Sequence, residues 1–152
     1  MVQSWLLPAA IVLALPAMAA APGVKTQFIG GTLAGISPKS DARLDLTGSE
    51  ALSFRCGKID LTVVWSRINT VEYGQNVSRR YAAGILISPV LLLSKSRKHF
   101  VTIGYEDTGG QQQALVLRVD KGDIRSVLAS LEARTGRRIE YQDEDARKSL
   151  KE

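Results

Sequence analysis

His99 to Gly136 reads HFVTIGYEDTGGQQQALVLRVDKGDIRSVLASLEARTG, and three elements follow one another in it without a long gap. Phe100-Val101-Thr102-Ile103 mixes β-branched and aromatic residues as a strand does, which predicts a strand from His99 to Tyr105. Asp107-Thr108-Gly109-Gly110 has the composition of a hairpin turn, and Gln112 to Val119 is the expected return strand. A helix is expected from near Asp120, with Asp120 and Asp123 at capping-box spacing. Ile124, Val127, Leu128 and Leu131 recur at i, i+3, i+4 and i+7, a single apolar stripe. Gly136 stands where a left-handed residue would end that helix, with Arg134, Arg137 and Arg138 around it.

Upstream, the same punctuation yields more strands. Thr26 to Ile36 reads as a strand bent by Gly30, Gly31 and Gly35. Gly rather than a phosphate-binding loop explains that run, because no Gly-Lys-Ser/Thr follows it. Ala42 to Thr47, Ala51 to Cys56, Ile59 to Trp65 and Ile68 to Tyr73 alternate in turn, separated by Gly48-Ser49 and Gly57-Lys58. Ile68, Val71 and Tyr73 should face inward. So should Cys56, the lone cysteine, which shares the parity of Leu52 and Phe54 and reads as a small buried hydrophobe. A succession of short strands without intervening helices is an antiparallel meander, not a βαβ pattern. The expectation is a mainly β fold: a small bent antiparallel barrel or sandwich of about seven strands, closed by one C-terminal amphipathic helix.

At this point the chain resembles the pleckstrin-homology-like superfold in its bacterial form. The resemblance rests on Ile68-Asn69-Thr70-Val71-Glu72-Tyr73-Gly74, on Lys98 to Asp107, and on the helix ending Leu131-Glu132-Ala133-Arg134-Thr135-Gly136. It covers residues 26–141 and implies a binding and scaffolding module, often at membranes. It carries over no active site, because the superfold hosts unrelated tasks.

The rest of the chain sets compartment and charge. Residues 1–20 are expected to be a signal segment: Trp5 to Ala17 is uncharged and apolar, Pro16 breaks it, and Ala17-Met18-Ala19 matches an A-x-A cleavage pattern. The first four residues lack Lys and Arg, which leaves an uncleaved anchor as the alternative. Residues 21–25 read as a linker, 26–141 as the domain and 142–152 as a charged, fraying tail. The expected location is therefore exported, periplasmic or secreted, with membrane association open.

The formal charge of +5 is concentrated between Tyr73 and Tyr105, a stretch with five basic residues and no acidic one. There, Arg79 and Arg80 precede twelve uncharged residues, 82–93, and Lys95, Arg97 and Lys98 follow. Twelve residues are too few to cross a bilayer. One reading makes this segment part of the core, with a solvated basic rim, although Pro89 argues against a central strand. The other makes residues 74–98 an insertion with an apolar tip of Leu86, Ile87, Leu91 and Leu92. Its flanking cations would then meet acidic head groups or a protein partner. Homo-oligomerisation through the same tip is a further option. Nucleic acid is disfavoured, because an exported chain with five clustered cations seldom meets it.

No catalytic, cofactor or metal signature stands out. His99 is the only histidine, next to Lys98, which should keep it neutral. Asp143, Glu144 and Asp145 read as solvated acids rather than metal ligands. Asn76-Val77-Ser78 is a sequon that matters only in a eukaryotic secretory pathway. An enzyme with a dispersed site is the remaining alternative.

Overall fold

Turn residues and alternation together cut the chain into short strands. The computed structural model describes residues 22–75 and 98–151. Strands β1 (Val24–Gly31), β2 (Ser40–Asp45), β3 (Ala51–Cys56) and β4 (Ile59–Val64) form the first meander. A 3-10 turn (Trp65–Arg67) leads to β5 (Ile68–Gly74), and β6 (His99–Glu106) and β7 (Gln112–Val119) follow. Helix α1 (Ile124–Thr135), β8 (Glu140–Tyr141) and the short α2 (Glu144–Ser149) complete the described chain. The spatial order is β4-β3-β2-β1-β7-β6-β5-β8, one mixed sheet that is bent but not closed. The seven long strands pair antiparallel, as the sequence reading required.

Bending has local causes. The β1–β7 register shifts between Phe28 and Gly30, and β5–β6 shifts between Ile68 and Thr70. Such bulges increase local twist and let an open sheet wrap over its own core. Gly31 is required for packing: a Cβ there would lie 2.5 Å from the Ala114 carbonyl oxygen. The first strand ends at Gly31 instead of running on to Ile36, because the chain turns away through Gly35 at φ +83°.

The concave face holds the main core, including Phe28, Leu44, Phe54, Val71, Tyr73, Ile103 and Leu117. Cys56 is buried within it as a free thiol, its pKa pushed up by burial and by Asp41. The stripe Ile124, Val127, Leu128 and Leu131 turns into this core, each side chain worth about 1.5–3 kcal/mol of burial. Gly136, left-handed at φ 67°, ends α1 and donates to the Glu132 carbonyl at 2.9 Å. Arg134 then reaches back over Trp65, 5.8 Å from the ring centroid, and donates to the Gly48 carbonyl at 3.0 Å. Trp65 Nε1 donates to that same carbonyl at 3.1 Å, so the helix end, the 3-10 turn and the β2–β3 loop are fastened together.

Two expectations need correction. The start of α1 carries no capping box: Asp123 makes no side-chain cap bond, and Ile124 N–H donates to the Asp120 backbone carbonyl instead. The tail is not frayed over residues 142–151. Asp143 caps α2 by accepting from Ala146 N–H at 2.7 Å, and Ala146 is fully buried. Asp143 is thus a helix cap rather than a merely solvated acid.

Candidate functional site

Strand alternation gives the sheet a second, convex face, and its two halves differ. On β2, β3 and β4 the outward residues include Asp41, Arg43, Arg55, Asp60 and Thr62, exposed or half-buried. On β1, β7 and β6 the outward residues are polar at the two ends, with Lys25, Gln27 and Arg118 at one and Glu106 and Gln112 at the other, and apolar or small between them. Ile29, Phe100, Thr102, Ala114 and Val116 are at most 5% exposed, yet the apolar ones among them lie outside the main core cluster. Thr102 pairs with Val116, and Gly104 with Ala114, so these side chains form one strip across β6 and β7.

The basic–apolar segment joins the sheet at one end of this strip. Gly74 pairs with Phe100, which places the exit of β5 beside the entrance of β6. Val119 pairs with both Thr26 and His99, so the start of β1 lies at the same end. The chain therefore enters from residues 1–21, leaves at Gln75 and returns at Lys98 within one neighbourhood. Of the residues singled out from sequence, Lys98 is half-buried just before β6. Arg79, Arg80, Leu86, Ile87, Leu91, Leu92, Lys95 and Arg97 lie outside the described residues, as does the Asn76 sequon. Residues 1–20 lie outside them too.

The sequence reading missed a polar cluster beside that junction. Tyr73, on β5, is fully buried, and its hydroxyl lies 2.6 Å from His99 Nδ1 and 2.9 Å from Ser149 Oγ. Ser149 Oγ in turn lies 2.8 Å from the Ala146 carbonyl oxygen. His99 stacks on Tyr73 with centroids 5.9 Å apart, and Tyr141 meets Tyr73 edge-on at 6.1 Å. Gln142 adds two bonds, from its N–H to the Tyr73 carbonyl at 3.0 Å and from Nε2 to the buried Glu72 at 3.1 Å. Burial first, and Lys121 second, hold the His99 pKa below its usual 6.5. The cation that acts on it is therefore Lys121 rather than the expected Lys98. Burial raises the Tyr73 hydroxyl, opposed by the Ser149 hydrogen bond. Ser149 is 76 residues from Tyr73, and only a tyrosine of inward parity hinted at the arrangement.

Elsewhere an apolar hollow opens between the β4 edge and the β6–β7 turn, lined by Leu33, Leu61, Val63 and Tyr105. Arg67 closes one side, donating to the Asp107 carbonyl at 2.5 Å. Among the described residues, no three His, Cys, Asp or Glu side chains gather as metal ligands would, and no helix is long and apolar enough to cross a membrane. No protein-family model matches the chain, and no curated protein matches it.

Proposed function

We propose that the chain is an exported, non-enzymatic binding module of the pleckstrin-homology-like type, which meets an anionic membrane surface through the basic–apolar segment between β5 and β6. The observation that carries this reading is the common attachment point. Two uncharged apolar runs, residues 5–17 and 82–93, are each too short to span a bilayer. Both join the sheet at the end where Thr26, Val119 and His99 share a register. A rigid sheet that launches both from one end can present the basic flanks and the apolar run together. Each cation near an anionic surface contributes ~1 kcal/mol, so five of them supply useful affinity without a pocket.

Vesicle sedimentation of the full chain, and of the chain lacking residues 1–20, tests this. Binding to phosphatidylserine-containing vesicles should exceed binding to neutral ones and fall as salt rises. Reversing both Arg79 and Arg80 to Glu should lower the association constant at least tenfold. Equal partition to both vesicle types, unmoved by the reversal, would overturn the reading and favour a protein partner or self-association.

A further inference from the structure

A sheet that does not close has two edges, and this one treats them differently. The β5 edge is covered at Glu72 and Tyr73 by β8. Beside β4, at the other end of the strand order, no further strand lies among the described residues. Hydrogen-bonded and open pairs alternate in an antiparallel ladder, so one bond fixes the rest. Trp65 N–H donates to the Glu50 carbonyl at 3.0 Å, and the same phase gives the bonded pairs Val63 with Leu52 and Leu61 with Phe54. Asp60, Thr62 and Val64 therefore aim their N–H and C=O groups away from the sheet, and all three residues are exposed. Nothing in β4 blunts this edge: Ile59–Val64 holds no Lys and no Pro, and its register is unbroken.

The apolar hollow of Leu33, Leu61, Val63, Val64 and Tyr105 runs along this same edge. Val64 is 45% exposed, and Leu61 is only half-buried although it packs against the core. A strand added beside β4 covers both and pairs the outward backbone groups. We propose that the β4 edge and this hollow bind an extended segment of a partner polypeptide, with apolar side chains at alternate positions and a Lys or Arg that meets Glu106 and Asp107. Backbone pairing then supplies affinity, and the hollow selects the alternating apolar side chains.

Charge at the rim selects the occupant. Glu106 and Asp107 line the hollow against one cation, Arg67. The Asp107 carboxylate is held in place by the Gly109 and Gln111 N–H groups at 2.8 and 2.9 Å. β4 itself carries Asp60 and no cation, so a second copy paired edge to edge adds a carboxylate to an acidic rim. A basic residue on a partner segment meets the opposite charge instead. The β6–β7 turn, fastened to Arg67 through the Asp107 carbonyl, walls the far side, which suits one extended chain better than the edge of another sheet. The hollow lies at the Glu106 end of β6, away from the His99 end where the basic–apolar segment attaches, so peptide docking and membrane contact do not compete.

Amide hydrogen exchange on the full chain, read by NMR, tests this with a synthetic probe, acetyl-Lys-Val-Thr-Val-Thr-Val-Thr-amide. The control peptide has the same composition with its valines consecutive. At about 1 mM probe, the Asp60, Thr62 and Val64 amides should gain protection, while Leu61 and Val63, already bonded to β3, keep theirs. Thr62→Pro removes an outward donor and no β3–β4 bond, so it should weaken binding at least about tenfold. Val64→Lys leaves the backbone intact and sets a charge at the mouth of the hollow, and it should weaken binding as well. Exchanging the probe's Lys for Glu should cost about twofold to fivefold, and equal binding of the two would overturn the choice of a basic partner. No added protection at Asp60, Thr62 and Val64, equal binding of the control peptide, or undiminished binding by Val64→Lys would overturn the proposal. Protection at these amides that rises with protein concentration in the absence of probe would overturn it in favour of a second copy.

Discussion

The convex faces of β2–β4 and of β1–β7–β6 belong to one sheet and read as two different proteins. The first is a solvated surface with alternating burial, seen in β3 as Leu52, Phe54 and Cys56 inward and Arg55 outward. The second is buried on both sides, with Phe100 through Tyr105 of β6 and Ala114 through Leu117 of β7 all inaccessible. Alternation is the mark of a half-exposed sheet, and a continuous apolar run marks a strand covered on both faces. The difference teaches that the meander is a structural wall, whereas the strip on β6 and β7 is continuous with the junction where the basic–apolar segment attaches.

That comparison is most easily broken by placing the same charge in each half. Val116→Asp puts a carboxylate at a site 1% exposed and should cost roughly 3–5 kcal/mol in urea unfolding. Thr62→Asp, on the solvated half, should change stability by no more than about 0.5 kcal/mol. Similar costs at both sites would remove the distinction between the halves. A smaller effect is expected for the Arg55–Asp60 ion pair, 3.0 Å long with both side chains more than half exposed. Arg55→Ala should cost less than about 1 kcal/mol, and 0.5 M salt should abolish most of that. A larger loss, insensitive to salt, would mean that the polar half holds the sheet together as well.

Local pattern made much of this legible. The bounds of β3 and β7 follow from alternation and turn residues alone, and the α1 stripe and Gly136 are where the 3.6-residue period places them. Ala114-Leu115-Val116-Leu117 also carried the signal for two-sided burial, since four apolar residues in a row leave no solvated face. The docking of β8 and α2 against β5 was not legible. Glu140 to Ser149 has no apolar period, and it docks through the buried Ala146 and through hydrogen bonds to residues about 70 positions away. Such contacts leave no trace in a local window. The candidate site was legible as charge and apolar content, in Arg79, Arg80 and Lys95, and illegible as geometry, because strand pairing alone reveals that Gln75, Lys98 and the start of β1 share one end.

The most direct measurement places one polarity-sensitive fluorophore on each side of the comparison. Ile87→Cys and Thr62→Cys, each in a Cys56→Ala background, are labelled and mixed with anionic vesicles. The account expects a blue shift for the label at residue 87 and none at residue 62. No shift at residue 87, or equal shifts at both positions, would contradict it.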